Sequence, residues 1–388
     1  FFGGNMKNYV FEQELEIYDV VIVGAGPSGI GIASMLKDFG VEKMVVLERT
    51  EVAATFDKWP EEMRFITPSF TTNFWGHIDL NSIASGTSPA YSLETEHPTG
   101  KEYSQYLKLI VEHFELPVKE YTNVEKVVHS EDRFTIHING GNTIESRFVI
   151  WAAGEFQYPN TNSFPGSELC LHNSQIESWK EIKGDEIYII GGNESGIDAA
   201  IHLSRLNKKV TVLESNTDWS TKRTTDPSEN LSPYTVDRIR EEIPNQRINL
   251  VGKTRVKDIK LENDKYSIYV KGKKSLKYQT DTPPILATGF ESSLIMVKDL
   301  FEWDETNSYV LLNEHDESRK TPGLFLVGPQ VRHESLILCF IYKYRQRFGV
   351  VANAIGDRLD MDTSFLEQYR TEGLYLDDLG ACGEECPC

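Results

Sequence analysis

Tyr18-Asp19-Val20-Val21-Ile22-Val23-Gly24-Ala25-Gly26-Pro27-Ser28-Gly29 is an apolar, strand-forming run that breaks into a glycine-rich turn. Such a run suits a strand buried on both faces. The three glycines have separate tasks. Gly24 lets the chain turn tightly, Gly26 lets the backbone approach a pyrophosphate, and Gly29 lets the next helix lie close to the strand. That helix runs through Ile30 to Leu36 with Gly40 as its terminator. Its N-terminal amides favour an anion. Val45-Val46-Leu47-Glu48 then brings a carboxylate 19 residues beyond Gly29, with Arg49 beside it. In a dinucleotide fold this acid meets the ribose hydroxyls.

The pattern recurs 167 residues later as Gly191-Gly192-Asn193-Glu194-Ser195-Gly196, between Ile187-Tyr188-Ile189-Ile190 and a helix through Ile197, Ala200 and Leu203. Val210-Thr211-Val212-Leu213-Glu214 follows, and Glu214 falls 18 residues after Gly196. Asn193 departs from the pattern by standing at the second glycine, where asparagine's tolerance of positive φ and the freedom of Gly192 serve instead. A carboxylate accepts both ribose hydroxyls and repels a 2′-phosphate, so Glu48 fits FAD and Glu214 favours NADH. Lys222 and Arg223 offer charge to a phosphate and keep NADPH open, the alternative being a solvated basic pair.

These repeats predict an α/β fold of two Rossmann-like dinucleotide-binding domains, the NAD(P) domain inserted into the FAD domain. The expected boundaries are 15–156 and 286–388 for the FAD domain, 157–285 for the insert, and 372–388 for a cysteine-containing tail. A helix over Lys101 to Phe114 and a β-meander through Val124–Val128, Phe134–Ile138 and Thr143–Ile150 lead to the crossover Trp151-Ala152-Ala153-Gly154. Ile285-Leu286-Ala287-Thr288-Gly289 is its counterpart, and a long helix is expected from Ser335 to Arg358.

With 388 residues, 39% of them apolar, the chain can bury two cores but is small for three domains. Its 40 basic and 59 acidic residues give a net charge of −19, which argues against nucleic acid or an anionic membrane as the partner. No run approaches the roughly 20 apolar residues of a membrane span, and no basic-then-apolar export signal opens the chain. A cytoplasmic enzyme is expected.

Through both turns, both crossovers and Thr321-Pro322-Gly323-Leu324-Phe325-Leu326-Val327-Gly328, the chain resembles the pyridine nucleotide-dependent FAD oxidoreductases. These include thioredoxin reductases, flavin monooxygenases and bacillithiol-disulfide-reductase-like proteins. The resemblance implies hydride transfer from a nicotinamide to FAD, then to an acceptor. It places Trp59, Val124, Gly154 and Gly328 with the turn residues at FAD, and Thr288 and Gly289 at NAD(P). In thioredoxin reductases an acid follows the glycine equivalent to Gly328 and contacts the flavin ribityl chain. Pro329 stands there, so that contact does not carry over. Trp59, Met63, Phe65 and Phe70 read as part core and part pocket wall, and His333 as a neighbour of the flavin pyrimidine.

Dithiol reductases of this kind place two cysteines beside the flavin, and the bacillithiol branch carries one in the first turn, where this chain has Ser28. Monooxygenases carry Phe-x-Gly-x-x-x-His; here Phe164-Pro165-Gly166 is followed by His172 after five residues. His172 is a candidate to position the nicotinamide, with a satisfied linker histidine as the alternative. Asn73 resembles an asparagine that supports a peroxyflavin in those enzymes, against the alternative of a turn residue before Gly76. Three of the five cysteines, Cys382, Cys386 and Cys388, lie within seven residues of the C-terminus. They suggest a relay to a disulfide or a soft metal, or a flexible tail with no such part; no four-ligand metal site is expected. The expected activity is an FAD-dependent NAD(P)H oxidoreductase serving a small-molecule or thiol/disulfide acceptor, quinone or metal-linked species, and a homodimer is an expected state. The alternatives are a monooxygenase and a flavin-bearing redox or metal sensor.

Overall fold

The computed structural model describes residues 17–71, 77–219, 230–272 and 276–381. Strand β1 (Ile17–Val23), helix α1 (Pro27–Phe39) and strand β2 (Met44–Leu47) succeed one another as the apolar runs require. Gly40 ends α1 in the left-handed region at φ +100°. Two short helices, α2 (Ala54–Asp57) and α3 (Pro89–Leu93), lead to α4 (Gly100–His113). Its start is fixed by a capping box in which Thr99 Oγ1 accepts the Glu102 N–H and Glu102 accepts the Thr99 N–H.

Beyond α4 come β3 (Val118–Lys119) and the meander of β4 (Val124–Ser130), β5 (Arg133–Ile138) and β6 (Asn142–Trp151). The sheet order is β3-β2-β1-β6-β5-β4. β1 lies parallel between β2 and β6, and Val20, Val21 and Ile22 are fully buried.

The second sheet is built from β7 (Leu171–His172), β8 (Glu186–Ile190), β9 (Lys209–Leu213), β10 (Ile248–Val251) and β14 (Ile285–Leu286). Its strands are parallel in the order β10-β9-β8-β14-β7. Helix α5 (Glu194–Arg205) joins β8 to β9, and α6 (Pro233–Glu242) packs on α5. Between β10 and β14 lies an antiparallel meander of β11 (Arg255–Glu262), β12 (Lys265–Lys271) and β13 (Leu276–Thr280), which the sequence reading did not single out. The insert therefore carries its own meander, as the first sheet carries β4 to β6.

The chain then forms β15 (Glu302–Trp303), β16 (Val310–Leu311) and β17 (Leu324–Leu326), the last parallel to the end of β6. The expected long helix from Ser335 is corrected here. β18 (Arg332–His333) and β19 (Leu336–Ile337) make a hairpin through Glu334, whose φ of +52° no right-handed helix admits. Helix begins only at α7 (Ile341–Tyr344) and continues through a tight turn into α8 (Phe348–Arg358). A Cβ at Gly31 of α1 would lie 2.3 Å from the Phe348 ring, so these helices meet through that glycine. Among the described residues no helix is long and apolar enough to cross a membrane.

Candidate functional site

The two glycine turns repeat each other bond for bond. Gly24 N–H donates to Leu47 C=O at 2.8 Å and Gly191 N–H to Leu213 C=O at 3.0 Å. Each first glycine has a φ near +106° or +105°, and a Cβ there would press within 2.5 Å or 2.3 Å of the crossover carbonyl of Ala152 or Ala287. A Cβ at Gly29 or Gly196 would fall 1.9 Å from the carbonyl oxygen of that first glycine. Glycine is therefore required at all four places.

The acids repeat as well. Glu48 accepts the Ala25 N–H and the Thr50 N–H, both at 2.9 Å, and Glu214 accepts the Gly192 and Asn216 N–H groups, both at 2.7 Å. Four charge-assisted bonds thus orient the two carboxylates at the strand ends. Five residues past each acid, Ala53 and Trp219 share a left-handed φ of 62° and 58°. Ala53 N–H donates to Ala25 C=O at 3.0 Å, and Trp219 Nε1–H does the same for Gly192 C=O at 2.9 Å.

The turns differ at their middle positions. A Cβ at Gly26 would meet no atom within 4 Å, so the space above the first turn is open to a ligand. Gly26 and Asn193 have φ of −88° and −91°, so Asn193 needs no positive φ and the expected reason for its tolerance is replaced by an ordinary extended backbone. α1 has no acid in its first turn, whereas α5 begins with Glu194. Glu194 turns its carboxylate to α6, accepting the Ser232 N–H and, at 2.6 Å, the Thr235 hydroxyl.

A cleft of about 640 Å³ opens at the carboxyl ends of β1, β2 and β6, the position where ligands sit in doubly wound sheets. Gly24, Gly26, Pro27, Ser28, Glu48, Arg49, Trp59 and Gly154 line it. Trp59 closes one side within an aromatic cluster, its ring 5.0 Å from Phe56 and 5.2 Å from Phe65. The open turn, the fixed acid and the aromatic wall fit FAD. A second cavity of about 510 Å³ lies at the ends of β8, β9 and β14, lined by Gly191, Asn193, Glu214, Thr288 and Gly289. Glu194 and Ser195 line both spaces, so the cavities meet at the start of α5.

Other residues singled out in the sequence stand elsewhere. Gly29, Gly192 and Gly196 shape the turns from behind, and Gly328 lies against Ser28, whose Oγ would be 2.6 Å from a Cβ there. Val124 is buried in β4 away from the cleft, and Phe70 is exposed. His333 pairs with buried Asp316, which also accepts two bonds from Arg347, so this histidine serves the C-terminal core and not the cleft. Asn73, Lys222, Arg223, Cys382, Cys386 and Cys388 lie outside the described residues.

His172 is fully buried, and its ring is committed on both nitrogens. Nε2–H donates to Gly289 C=O at 3.0 Å, and Nδ1 accepts the Ser174 N–H at 3.2 Å. Burial pushes its pKa down against the Gly289 bond, so the ring is a neutral strut under the Gly289 crossover. Burial also raises the Cys170 thiol to about 12, assisted by Glu168, which makes it inert at neutral pH.

Four residues the sequence reading passed over take part in these sites. Trp219 covers the second turn. Arg255 is an exposed cation lining the second cavity, and Cys339 and Glu155 line the cleft. Only Glu155, immediately after the crossover Gly154, carried a positional signal.

Two dinucleotide turns bordering adjoining cavities define a fold with two nucleotide-binding halves. Residues 21–328 match the family model of the pyridine nucleotide-disulphide oxidoreductases, and the chain belongs to that family. The family is named for a pyridine nucleotide, which the second turn and its acid fit as the first fit FAD. Among curated proteins it is similar to the uncharacterized oxidoreductase CzcO of Bacillus velezensis, 27% identical over 204 residues, covering 51% of this chain and 54% of that one. The chain thus spans about half the length of that relative. Among solved structures it resembles bacillithiol disulfide reductase Bdr from Staphylococcus aureus, with a TM-score of 0.73 at 20% identity over 89% of this chain and 99% of the other. A flavin-containing monooxygenase from Stenotrophomonas maltophilia shares the fold with a TM-score of 0.67 at 17% identity, over 89% of this chain and 100% of the other.

Proposed function

We propose that this chain is a reductase that takes hydride from NAD(P)H onto FAD and passes the electrons to a small acceptor: a disulfide, a quinone or a metal-linked species. The observation that carries this reading is the pair of residues, Glu194 and Ser195, that border both cavities. A nicotinamide held by the second turn then reaches the first cleft without leaving its site. Bound FAD supplies the hydride chemistry; the protein supplies orientation and exclusion of water. Glu48 orients the ribose of the flavin nucleotide and Glu214 that of the coenzyme. Trp59 and its aromatic neighbours keep water from one wall, and His172 holds the Gly289 crossover between the sites.

Ser28 in place of a turn cysteine moves any thiol relay elsewhere. Cys339 in the cleft wall and the C-terminal cysteines are its candidates, and the compartment of the reaction is the cytoplasm. Oxygen insertion has less support, since His172 is committed to structure. Anaerobic mixing with NADH and NADPH in turn, followed by a disulfide, a quinone and a ferric chelate, tests the reading. Bleaching of the flavin and rapid recovery with one acceptor are expected. A protein whose flavin neither coenzyme bleaches, or one that accumulates a long-lived oxygen adduct in air, would overturn it.

A further inference from the structure

We infer that Asp198 selects the electron acceptor: its free carboxylate oxygen takes a hydrogen bond from a neutral hydroxyl or amide group that the acceptor carries beside its reducible part. The inference rests on the reductase reading above and names the chemistry of the acceptor which that reading leaves open. Asp198 lies on α5, one turn beyond Glu194 and Ser195, and lines the first cleft but not the second cavity. It therefore stands on the flavin side of the border between the two spaces, outside the walls of the coenzyme cavity.

The side chain is 5% exposed, and its two oxygens have different surroundings. Oδ1 accepts a 2.7 Å bond from Arg238 Nη1 and lies 3.4 Å from His202 Nε2. Oδ2 is buried and has no hydrogen-bond partner among the described residues. Arg238 Nε and His202 Nε2 also lack partners, but neither residue lines the cleft, so a ligand there meets Oδ2 alone. The carboxylate cannot turn to exchange its oxygens. Arg238 is itself buried, donates through Nη2 to Thr235 Oγ1 at 3.2 Å and lies over the Tyr234 ring at 4.2 Å, so the guanidinium holds Oδ1 in place. A buried acceptor left unpaired is costly, and a carboxylate oxygen can only accept. Its partner in the cleft is therefore an N–H or O–H group.

The charge of the pair sets the kind of donor. Asp198 and Arg238 together are neutral, and Lys58 and Arg64 face the same cleft from the segment after α2, so an ammonium group gains little there. A neutral hydroxyl or amide meets no such repulsion. Glu194, the other acid on this face of α5, is bonded to Ser232 and Thr235 and does not compete for the donor. The Phe156 and Phe290 rings, stacked 5.1 Å apart, line the same cleft and suit a flat apolar body. A quinone bearing a hydroxyalkyl arm has both features. Its reduction takes a hydride from reduced flavin and a proton from water and leaves the hydroquinone and oxidised flavin. Asp198 holds the acceptor and exchanges no proton with it.

The test uses FAD-loaded protein and two naphthoquinones of like shape, one bearing a hydroxymethyl group and the other a methoxymethyl group, which has no donor. Titration of the oxidised protein should give a Kd lower by roughly tenfold to a hundredfold for the hydroxymethyl compound, the worth of one hydrogen bond to a charged group. After anaerobic reduction with NADH or NADPH, kcat/KM for reoxidation should favour the same compound. Asp198→Asn keeps the shape, but its oxygen faces Arg238 and its amide N–H group faces the cleft, so the preference is expected to vanish or invert. Wild-type protein that binds both compounds equally would overturn the assignment, and that comparison needs no variant. An unchanged preference in Asp198→Asn would overturn it too, as would a defect confined to flavin bleaching, which would give Oδ2 to the coenzyme. Failure of the reductase reading looks different: neither coenzyme bleaches the wild-type flavin, whatever the two Kd values, and the acceptor role of Asp198 falls with it.

Discussion

Glu214 is buried at the end of β9 with both oxygens held by backbone N–H groups, so its charge is fixed at the ribose end of the second cavity. A 2′-phosphate brought there meets a carboxylate that cannot swing away. Unit charges about 4 Å apart repel by about 1 kcal/mol in water and about 4 kcal/mol near a protein surface. The wild type should therefore prefer NADH. Glu214→Gln is expected to raise the ratio of kcat/KM for NADPH over NADH by about tenfold or more, each tenfold being about 1.4 kcal/mol. Arg255 lines the same cavity and would supply the counter-charge, so the gain should shrink when Arg255→Ala is added. Steady-state kinetics with both coenzymes decides it; a ratio unmoved by Glu214→Gln would place the ribose elsewhere.

At the scale of the element, the two strand-turn-helix units were legible because their determinants are local. Apolar runs, glycines at fixed offsets and an acid 18 or 19 residues on all fall within one stretch of chain. The hairpin at Arg332–Ile337 was not legible, since Leu336, Ile337 and Leu338 read equally well as helix and only the left-handed Glu334 decides between them. Trp219, Arg255 and Cys339 were missed for another reason: Trp219 follows the acid outside the glycine motif, Arg255 opens β11 and Cys339 precedes α7, and no local pattern encodes which cavity such residues reach. The one local departure, Asn193 against Gly26, is testable by exchange. Neither residue has a positive φ and Asn193 makes no side-chain cap, so Asn193→Gly should cost only a few tenths of a kcal/mol in stability. It should lower the KM for the coenzyme by clearing the space above α5. Gly26→Asn should fold with a near-normal melting temperature, since its Cβ meets no protein atom within 4 Å, yet purify with little flavin. A yellow Gly26→Asn protein would show that the cofactor does not pass over this turn.

For the whole molecule, hydride transfer requires the two sheets to hold one relative position, and a small set of contacts ties them together. Glu62, on the cleft wall segment after α2, accepts the Ser178 hydroxyl at 2.6 Å and the Trp179 N–H at 3.2 Å. Glu61 N–H donates to Glu177 C=O at 2.8 Å, and the His97 ring stacks on Tyr234 of α6 at 3.8 Å. Burial alone would raise the Glu62 pKa, but the Ser178 and Trp179 bonds together with His202 outweigh it and hold the carboxyl below its ordinary 4.5. A folded pKa below the unfolded one gives stability that is present above the unfolded value and lost as pH falls through the folded value. The tie should therefore hold at neutral pH and release only in acid, below about pH 4.5. Glu62→Ala removes hydrogen bonds to a charged group, worth about 1.5–3 kcal/mol each where buried and less here, since the carboxylate is partly exposed. The variant is expected to bind FAD normally and to reduce it several-fold more slowly at pH 7, with a larger radius of gyration by X-ray scattering, whereas the wild type expands only in acid. Equal scattering and equal flavin reduction rates in the two proteins would mean that the sheets are held by their other contacts and that Glu62 merely caps the turn at Trp179.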